Sequence, residues 1–285
     1  MVMNENEHIL EAIGKTRVIV REGSVVETGT PLISRCPLAR RFAVPVREMT
    51  ADAIRENIEE RIKGLGMCRN EREIFSDHEF VAFGASELIA SGIRRGLLDA
   101  AVLVCEGAGT VIVRDPRMVQ GIGGRMSGVI RTSPLPGVMA AIADGGGRVF
   151  SEEARIDQHG GARLAIRMGF SRVAVTVADA GTALSIRRDV PNALIIGVHL
   201  TGVSREEARG LVESCDLVSA CASRWIREIA APSALLQAGN TVPVFALTSR
   251  GKALVLEKLA EMTHPIFVKV TTLPVRGDEQ PEPLV

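Results

Sequence analysis

Five cysteines, five histidines and a basic set made almost wholly of arginine are the groups in this sequence with chemistry to offer. An odd number of cysteines, with no apolar run after the polar start Met1–Glu7, argues against a disulfide framework and for reduced thiols in a cytoplasm. Cys36 and Cys68 stand in Pro- or Gly-flanked loops, and Cys105 and Cys221 end apolar runs, where soft-metal ligands and nucleophiles are usually found. Cys215 closes a helix, and any one buried thiol can be a small hydrophobe. The separations of the other four, 32, 37 and 116 residues, match neither a ferredoxin nor a zinc ribbon. An iron–sulfur cluster or soft metal on Cys36, Cys68, Cys105 and Cys221 therefore requires the fold to gather them. Cys221 is also expected to open a helix through Ser223-Arg224-Trp225-Ile226, whose dipole, with Arg224, would lower its pKa and make it a nucleophile. His199, at the end of another apolar run, is the candidate general base or ligand. Asp77-His78-Glu79 and Asp157-Gln158-His159 read as solvated surface.

The glycine segments offer anion chemistry. Gly121-Ile122-Gly123-Gly124-Arg125 could present successive backbone N–H groups beside a guanidinium, a nest for phosphate or carboxylate. Gly14-Lys15-Thr16 lacks the earlier glycine of a P-loop, since Ile9 stands there. Glu106-Gly107-Ala108-Gly109 follows a strand, but position 112 is Ile112 and Thr110–Val113 reads as extended, so no NAD or ATP motif is present.

These groups must be positioned by a chain of 285 residues, enough for one large domain or two modest ones. Basic and acidic residues balance at 34 each, and aromatics are 3% with no tyrosine, which disfavours a nucleic-acid surface. No apolar run approaches the length of a membrane span. Arg17–Arg21 and Ser24–Thr28 read as a hairpin, and Thr50 caps a helix whose Ile54, Ile58 and Ile62 form a stripe. Further on, apolar runs at Ala101–Cys105, Arg172–Ala178, Ala193–His199, Leu217–Ala220, Val242–Leu247 and Ile266–Val270 read as strands. Between them lie helices at Gly161–Met168, Thr182–Arg188, Arg205–Ser214 and Lys252–Met262, the third opened by a Ser204/Glu207 capping box. The expected fold is α/β: a mostly parallel sheet with helices on both faces, preceded by an N-terminal hairpin-and-helix segment. The expected units are 1–83, packed on an α/β domain at 84–274, with a solvent-bound tail at 275–285. Ligands of such sheets gather beyond the strand carboxyl ends, which brings Glu106, Gly107, Gly109, His199, Cys221, Arg224 and Arg250 toward one rim.

The strings Cys36-Pro37-Leu38, Gly66-Met67-Cys68, Val104-Cys105-Glu106-Gly107-Ala108-Gly109, Gln120-Gly121-Ile122-Gly123-Gly124-Arg125 and Ala220-Cys221-Ala222-Ser223-Arg224-Trp225 carry a resemblance. In this order, from about His8 to about Leu259, the chain resembles the methanogenesis marker protein 8 family, an archaeal family of unknown function. The resemblance implies a methanogen-type cytoplasm and a link to methyl-coenzyme M reductase, its maturation proteins or its nickel cofactor. It supplies no reaction and no site residues.

Three readings follow. One is an accessory protein binding an iron–sulfur cluster or soft metal through the four thiols. Another is an enzyme on a small anionic metabolite, gripped by Gly121–Arg125 and by Arg224 or Arg250, with Cys221 or Cys105 as nucleophile. The third is a non-catalytic assembly or regulatory subunit.

Overall fold

The expected hairpin is β2 (Thr16–Arg21) and β3 (Ser24–Thr28) in a computed structural model that describes residues 6–285. The first five positions of the sequence lie outside the described residues. An additional strand, β1 (Glu7–Ala12), precedes it, and helix α1 (Ala51–Leu65) follows. Thr50 caps α1 by accepting from the Ala53 N–H at 3.1 Å, and Gly66 ends it in the left-handed region. Then come α2 (Ala85–Arg94), β4 (Ala100–Cys105), β5 (Gly109–Val113), α3 (Pro116–Gly123), β6 (Gly128–Thr132), α4 (Pro136–Asp144) and β7 (Arg148–Val149). The alternating part comprises α5 (Gln158–Arg167), β8 (Val173–Val177), α6 (Ala180–Asp189), β9 (Leu194–Gly197), α7 (Arg205–Ser214) and β10 (Leu217–Ser219). It closes with α8 (Arg224–Ala230), β11 (Leu236–Ala238), β12 (Val244–Ala246) and α9 (Ser249–Glu261).

The large sheet runs β11-β12-β10-β9-β8-β4-β5-β7. Its centre, β10-β9-β8-β4, is parallel, and antiparallel strands flank it on both sides. One face buries Leu88, Met118, Ile142 and Leu254 from α2, α3, α4 and α9. The other buries Ala165, Ile186, Leu211 and Ile226 from α5 to α8. The α/β architecture with helices on both faces is thus the observed one. The central strands are laid down in chain order with no reversal, so no switch-point crevice opens between them. The cavity described below is formed instead where a second sheet docks over the strand ends.

That second sheet, ordered β3-β2-β1-β6, takes its last strand from beyond residue 83. It packs with α1 around Leu10, Val18, Val20, Ile54, Ile58 and Ile62, and Ala222 from the large-sheet part joins the same core. His8 on β1 is fully buried, with Nδ1 2.6 Å from Thr132 Oγ1 and Nε2 2.7 Å from Asn6 Oδ1. Burial pushes its pKa down to about 4, against the pull of Glu106 and Glu22. The folded state thus holds His8 neutral while the unfolded chain takes up a proton below about pH 6.5. Its contribution is fully present above that pH and is lost as pH falls toward 4, amounting to about 3 kcal/mol. Denaturant midpoints measured between pH 7.5 and 4 should show a decline that His8→Gln reduces by that amount. Parallel curves for the two proteins would refute it.

Two expectations fail in the last third. Ile266–Val270 is not a strand: it lies in coil, with Phe267 86% and Val270 99% exposed. Its β-branched run has the propensity, but it pairs with no strand among the described residues. The expected strand Val242–Leu247 exists as β12 but runs antiparallel to β10, so its carboxyl end lies at the opposite edge of the sheet. Among the described residues, no helix is long and apolar enough to cross a membrane.

Candidate functional site

Parallel β9 and β10 deliver His199 and Cys221 to the same sheet edge, and both line a cavity of about 190 Å³. The facing wall comes from the small-sheet half: Glu11, the 3-10 turn Ile13–Lys15 that joins β1 to β2, and Cys36. Ser86 and Glu87 at the start of α2, and Gly123 and Gly124 at the end of α3, complete the rim. Four of the lining residues that are not glycine hold left-handed backbone: Lys15 (φ 62°), Met126 (φ 50°), His199 (φ 59°) and Cys221 (φ 46°). Such conformations cost of order 1–3 kcal/mol each, persist only where the surroundings impose them, and cluster at functional sites.

The polar groups of the cavity are few and interlocked. Lys15 Nζ lies 2.8 Å from Glu11 Oε2 and donates to the His199 carbonyl at 3.1 Å. Glu11 Oε1 is 3.9 Å from His199 Nδ1. Burial lowers the His199 pKa, Glu11 opposes that shift, and Lys15 adds to it. The imidazole is therefore neutral at neutral pH and able to accept a proton. Ser219 Oγ stands 3.6 Å from Cys221 Sγ. Burial also pushes the Cys36 thiol up, partly offset by the Leu38 and Ala39 N–H groups and by Arg227.

The cation beside Cys221 is Arg227 rather than Arg224. Helix α8 begins three residues after Cys221 and has only seven residues, so the thiol stands outside its first turn. The Arg224 guanidinium stacks over the Trp225 ring at 4.3 Å. Arg227 is fully buried and donates to the Cys221 carbonyl at 2.9 Å, to the Thr241 carbonyl at 3.2 Å and to Gln280 Oε1 at 2.7 Å. Its Nε has no partner among the described residues.

The expected solvent-bound tail is instead a strap over this region. Arg35 and Glu282 exchange backbone hydrogen bonds at 3.1 and 2.9 Å, Val285 N–H donates to the Ala222 carbonyl at 2.9 Å, and Arg224 N–H donates to the Val285 carbonyl at 3.0 Å. One short segment thereby ties the neighbours of Cys36 to the neighbours of Cys221.

Of the four thiols expected to meet, only Cys36 and Cys221 reach the cavity. Cys68 and Cys105 are buried beside an ion pair between Arg72 and Glu106, and burial raises the pKa of both, Cys105 to about 12. Among the described residues, no group of three or more His, Cys, Asp or Glu side chains is placed to hold a metal ion. The four thiols therefore do not form one ligand set.

The anion nest is not formed either. Gly121-Ile122-Gly123 is the last turn of α3, where carbonyls rather than N–H groups are free. The Gly121 carbonyl accepts from Arg72 Nη2 at 3.0 Å and from Arg125 Nε at 2.9 Å. Arg125 faces a separate polar cleft that also takes Asp77, His78 and Glu79. Arg250 binds the Asn192 carbonyl at 2.9 Å and lies 3.3 Å from buried Asp216, at the far edge to which antiparallel β12 leads. Gly107 and Gly109 form the tight β4–β5 turn, both left-handed, and pack against Leu135 and the Ala154 carbonyl.

Comparison with known proteins places the chain. Residues 8–260 match the family model described as an uncharacterized protein conserved in archaea (DUF2099). This chain belongs to that family. It is also 39% identical to the uncharacterized protein MJ0054 of Methanocaldococcus jannaschii over 284 residues, covering 98% of this chain and all of the relative. In this DUF2099 member the cavity wall before residue 260 lies wholly inside the matched region, and the strap lies outside it.

Three features of the site were missed in the sequence. Arg227 sits one turn inside α8, and only tertiary contacts direct it back to the Cys221 carbonyl. Glu11 in β1 and Lys15 at the end of the 3-10 turn have the i,i+4 spacing of a helix pair, a signal too common to single out. The strap has no local pattern at all.

Proposed function

We propose that this protein is an α/β enzyme that acts on a small, largely apolar metabolite through Cys221 as nucleophile, with His199 accepting the proton. The observation that carries the reading is the half-buried Cys221 and the half-buried, neutral His199 on left-handed backbone at one cavity beyond the parallel strand ends. Glu11 Oε1 lies on the Nδ1 side of the imidazole at 3.9 Å, and Lys15 is tied to Glu11 and the His199 carbonyl. The substrate class moves away from a strongly anionic one, because Arg125, Arg224 and Arg250 are absent from the cavity wall. The cavity volume suits a compound of modest size. The resemblance to the methanogenesis marker protein 8 strings supplies the setting we assign to this activity, the making or upkeep of methyl-coenzyme M reductase.

Alkylation of the native protein with iodoacetamide, followed by peptide mapping, tests this. Cys221 should be modified first, with Cys68, Cys105 and Cys215 protected by burial. His199→Gln should slow the modification roughly tenfold or more, the low end of general-base effects. Modification of a sealed thiol ahead of Cys221, or a rate unmoved by His199→Gln, would overturn the assignment. Stoichiometric iron or zinc in anaerobically purified protein, lost in both Cys36→Ser and Cys221→Ser, would return the site to a metal reading.

A further inference from the structure

We propose that Cys36 and Cys221 work as a dithiol pair that exchanges with a small, uncharged organic disulfide, held in register by the strap 278–285. The inference rests on the reading of Cys221 as nucleophile and adds a resolving thiol, a substrate class and a positioning segment to it.

Four observations converge. Of the five cysteines only these two are partly exposed, and both face the same cavity. Cys36 packs against the same apolar cluster as Ala222, the residue after Cys221. The strap bonds to Arg35 on one side and to Ala222 and Arg224 on the other, so loops from distant parts of the chain are fixed to each other by one segment. Arg227 is a fully buried cation whose hydrogen-bond partners among the described residues are the Gln280 amide oxygen and the Cys221 and Thr241 carbonyls, none of them charged, and its Nε is unpartnered. A buried guanidinium without a counter-charge is costly: burial, and to a lesser extent Arg276, act against its charged form, while the groups that favour it are Cys221 and Cys36. A thiolate formed on either sulfur supplies the missing negative charge.

The exchange balances without a further reagent. The Cys221 thiolate attacks one sulfur of R–S–S–R′, forming a mixed disulfide and releasing R–S⁻. The Cys36 thiol, once deprotonated, attacks the Cys221 sulfur, forming the Cys36–Cys221 bond and releasing R′–S⁻. The two protons lost by the cysteines are taken up by the two released thiolates. The organic disulfide is reduced and the protein dithiol oxidised. Because burial raises the Cys36 pKa, this closing step is the slow one near neutral pH and should keep accelerating above the ordinary thiol range.

Bis(2-hydroxyethyl) disulfide added to the reduced, full-length protein tests this by intact mass and peptide mapping. The wild type should lose two hydrogens, carry no adduct, and show a Cys36–Cys221 link. Cys36→Ser should stop with one hydroxyethylthio group on Cys221. Gln280→Ala, which removes the side-chain acceptor of Arg227, should slow closure several-fold, and a closure rate unmoved by it removes the strap from the proposal. A wild type that halts at the mixed disulfide on Cys221, or an internal bond that involves Cys68 or Cys105, overturns the dithiol pair. The first of these leaves the nucleophile reading standing, whereas a Cys221 inert to both this reagent and iodoacetamide removes both.

Discussion

Removing either partner of the buried Arg72–Glu106 pair is expected to destabilise the protein by about 3–5 kcal/mol, the usual cost of leaving one buried charge uncompensated. The side chains are 0% and 6% exposed, and the guanidinium also donates to the Gly121 carbonyl at 3.0 Å and to the Glu73 carbonyl. Glu106 serves more than one cation. Arg61, buried and bonded to Ser127 Oγ and the Arg125 carbonyl, is also stabilised in its charged form by it, while burial, Arg72 and Arg125 act against that charge. Glu106→Ala would leave these guanidiniums facing one another, so it should fall at the upper end of the range, and Arg72→Met at the lower. Denaturant midpoints at constant slope measure the loss. The double change Arg72→Met with Glu106→Leu should recover part of it, because an apolar pair of similar volume avoids the desolvation cost. Loss below about 1 kcal/mol in Glu106→Ala would show that water reaches the pair.

The second large effect concerns the glycines. A Cβ on Gly121 would stand 2.0 Å from the Ile74 carbonyl oxygen and 2.3 Å from its carbon, and one on Gly109 would stand 2.2 Å from the Ala154 oxygen. In each case the obstacle is backbone, which cannot rotate aside, and Gly109 adds a φ of +64°. Gly121→Ala and Gly109→Ala should each cost more than about 4 kcal/mol or prevent folding, within the exceptional tail of single substitutions. Gly64 is the control: it sits inside α1 with nothing within 4 Å of an added Cβ. Gly64→Ala should stabilise by about 0.5–1 kcal/mol through helix propensity. Thermal midpoints of the three variants decide the matter, and a folded Gly121→Ala at wild-type stability would restore a ligand-facing role to that segment.

The contrast shows what local pattern can and cannot carry. The apolar spacing at Ile54, Ile58 and Ile62 with Thr50 ahead of it specifies α1, because a helix stripe and its cap are properties of neighbouring residues. Ser204 likewise caps α7 through the Glu207 N–H at 3.1 Å, but the Glu207 carboxylate turns to the Ala180 N–H at the start of α6 and leaves the box half made. The hydrophobic runs of β4, β8, β9 and β10 announce doubly covered strands. They do not announce direction, which is why β12 looked like another parallel strand and Arg250 like a rim residue. For the glycines, the sequence shows that a side chain is absent without showing what fills its space. At Gly121 that is the backbone of Ile74 rather than a ligand. His199 and Cys221 were legible as strand-end residues. Their union with Cys36, Glu11 and Lys15 depends on the small sheet docking over the rim, a tertiary fact with no periodicity to betray it.

The strap has a consequence for biosynthesis. Residues 278–285 leave the ribosome after every helix and strand of the two sheets, and they clasp the segments that bear Cys36 and Cys221. Until these residues are in place, the two segments lack the backbone hydrogen bonds to Glu282 and Val285, and Arg227 lacks the amide of Gln280. A chain released by a ribosome stalled short of these codons would therefore keep both sulfurs and lose the clasp between the segments that bear them.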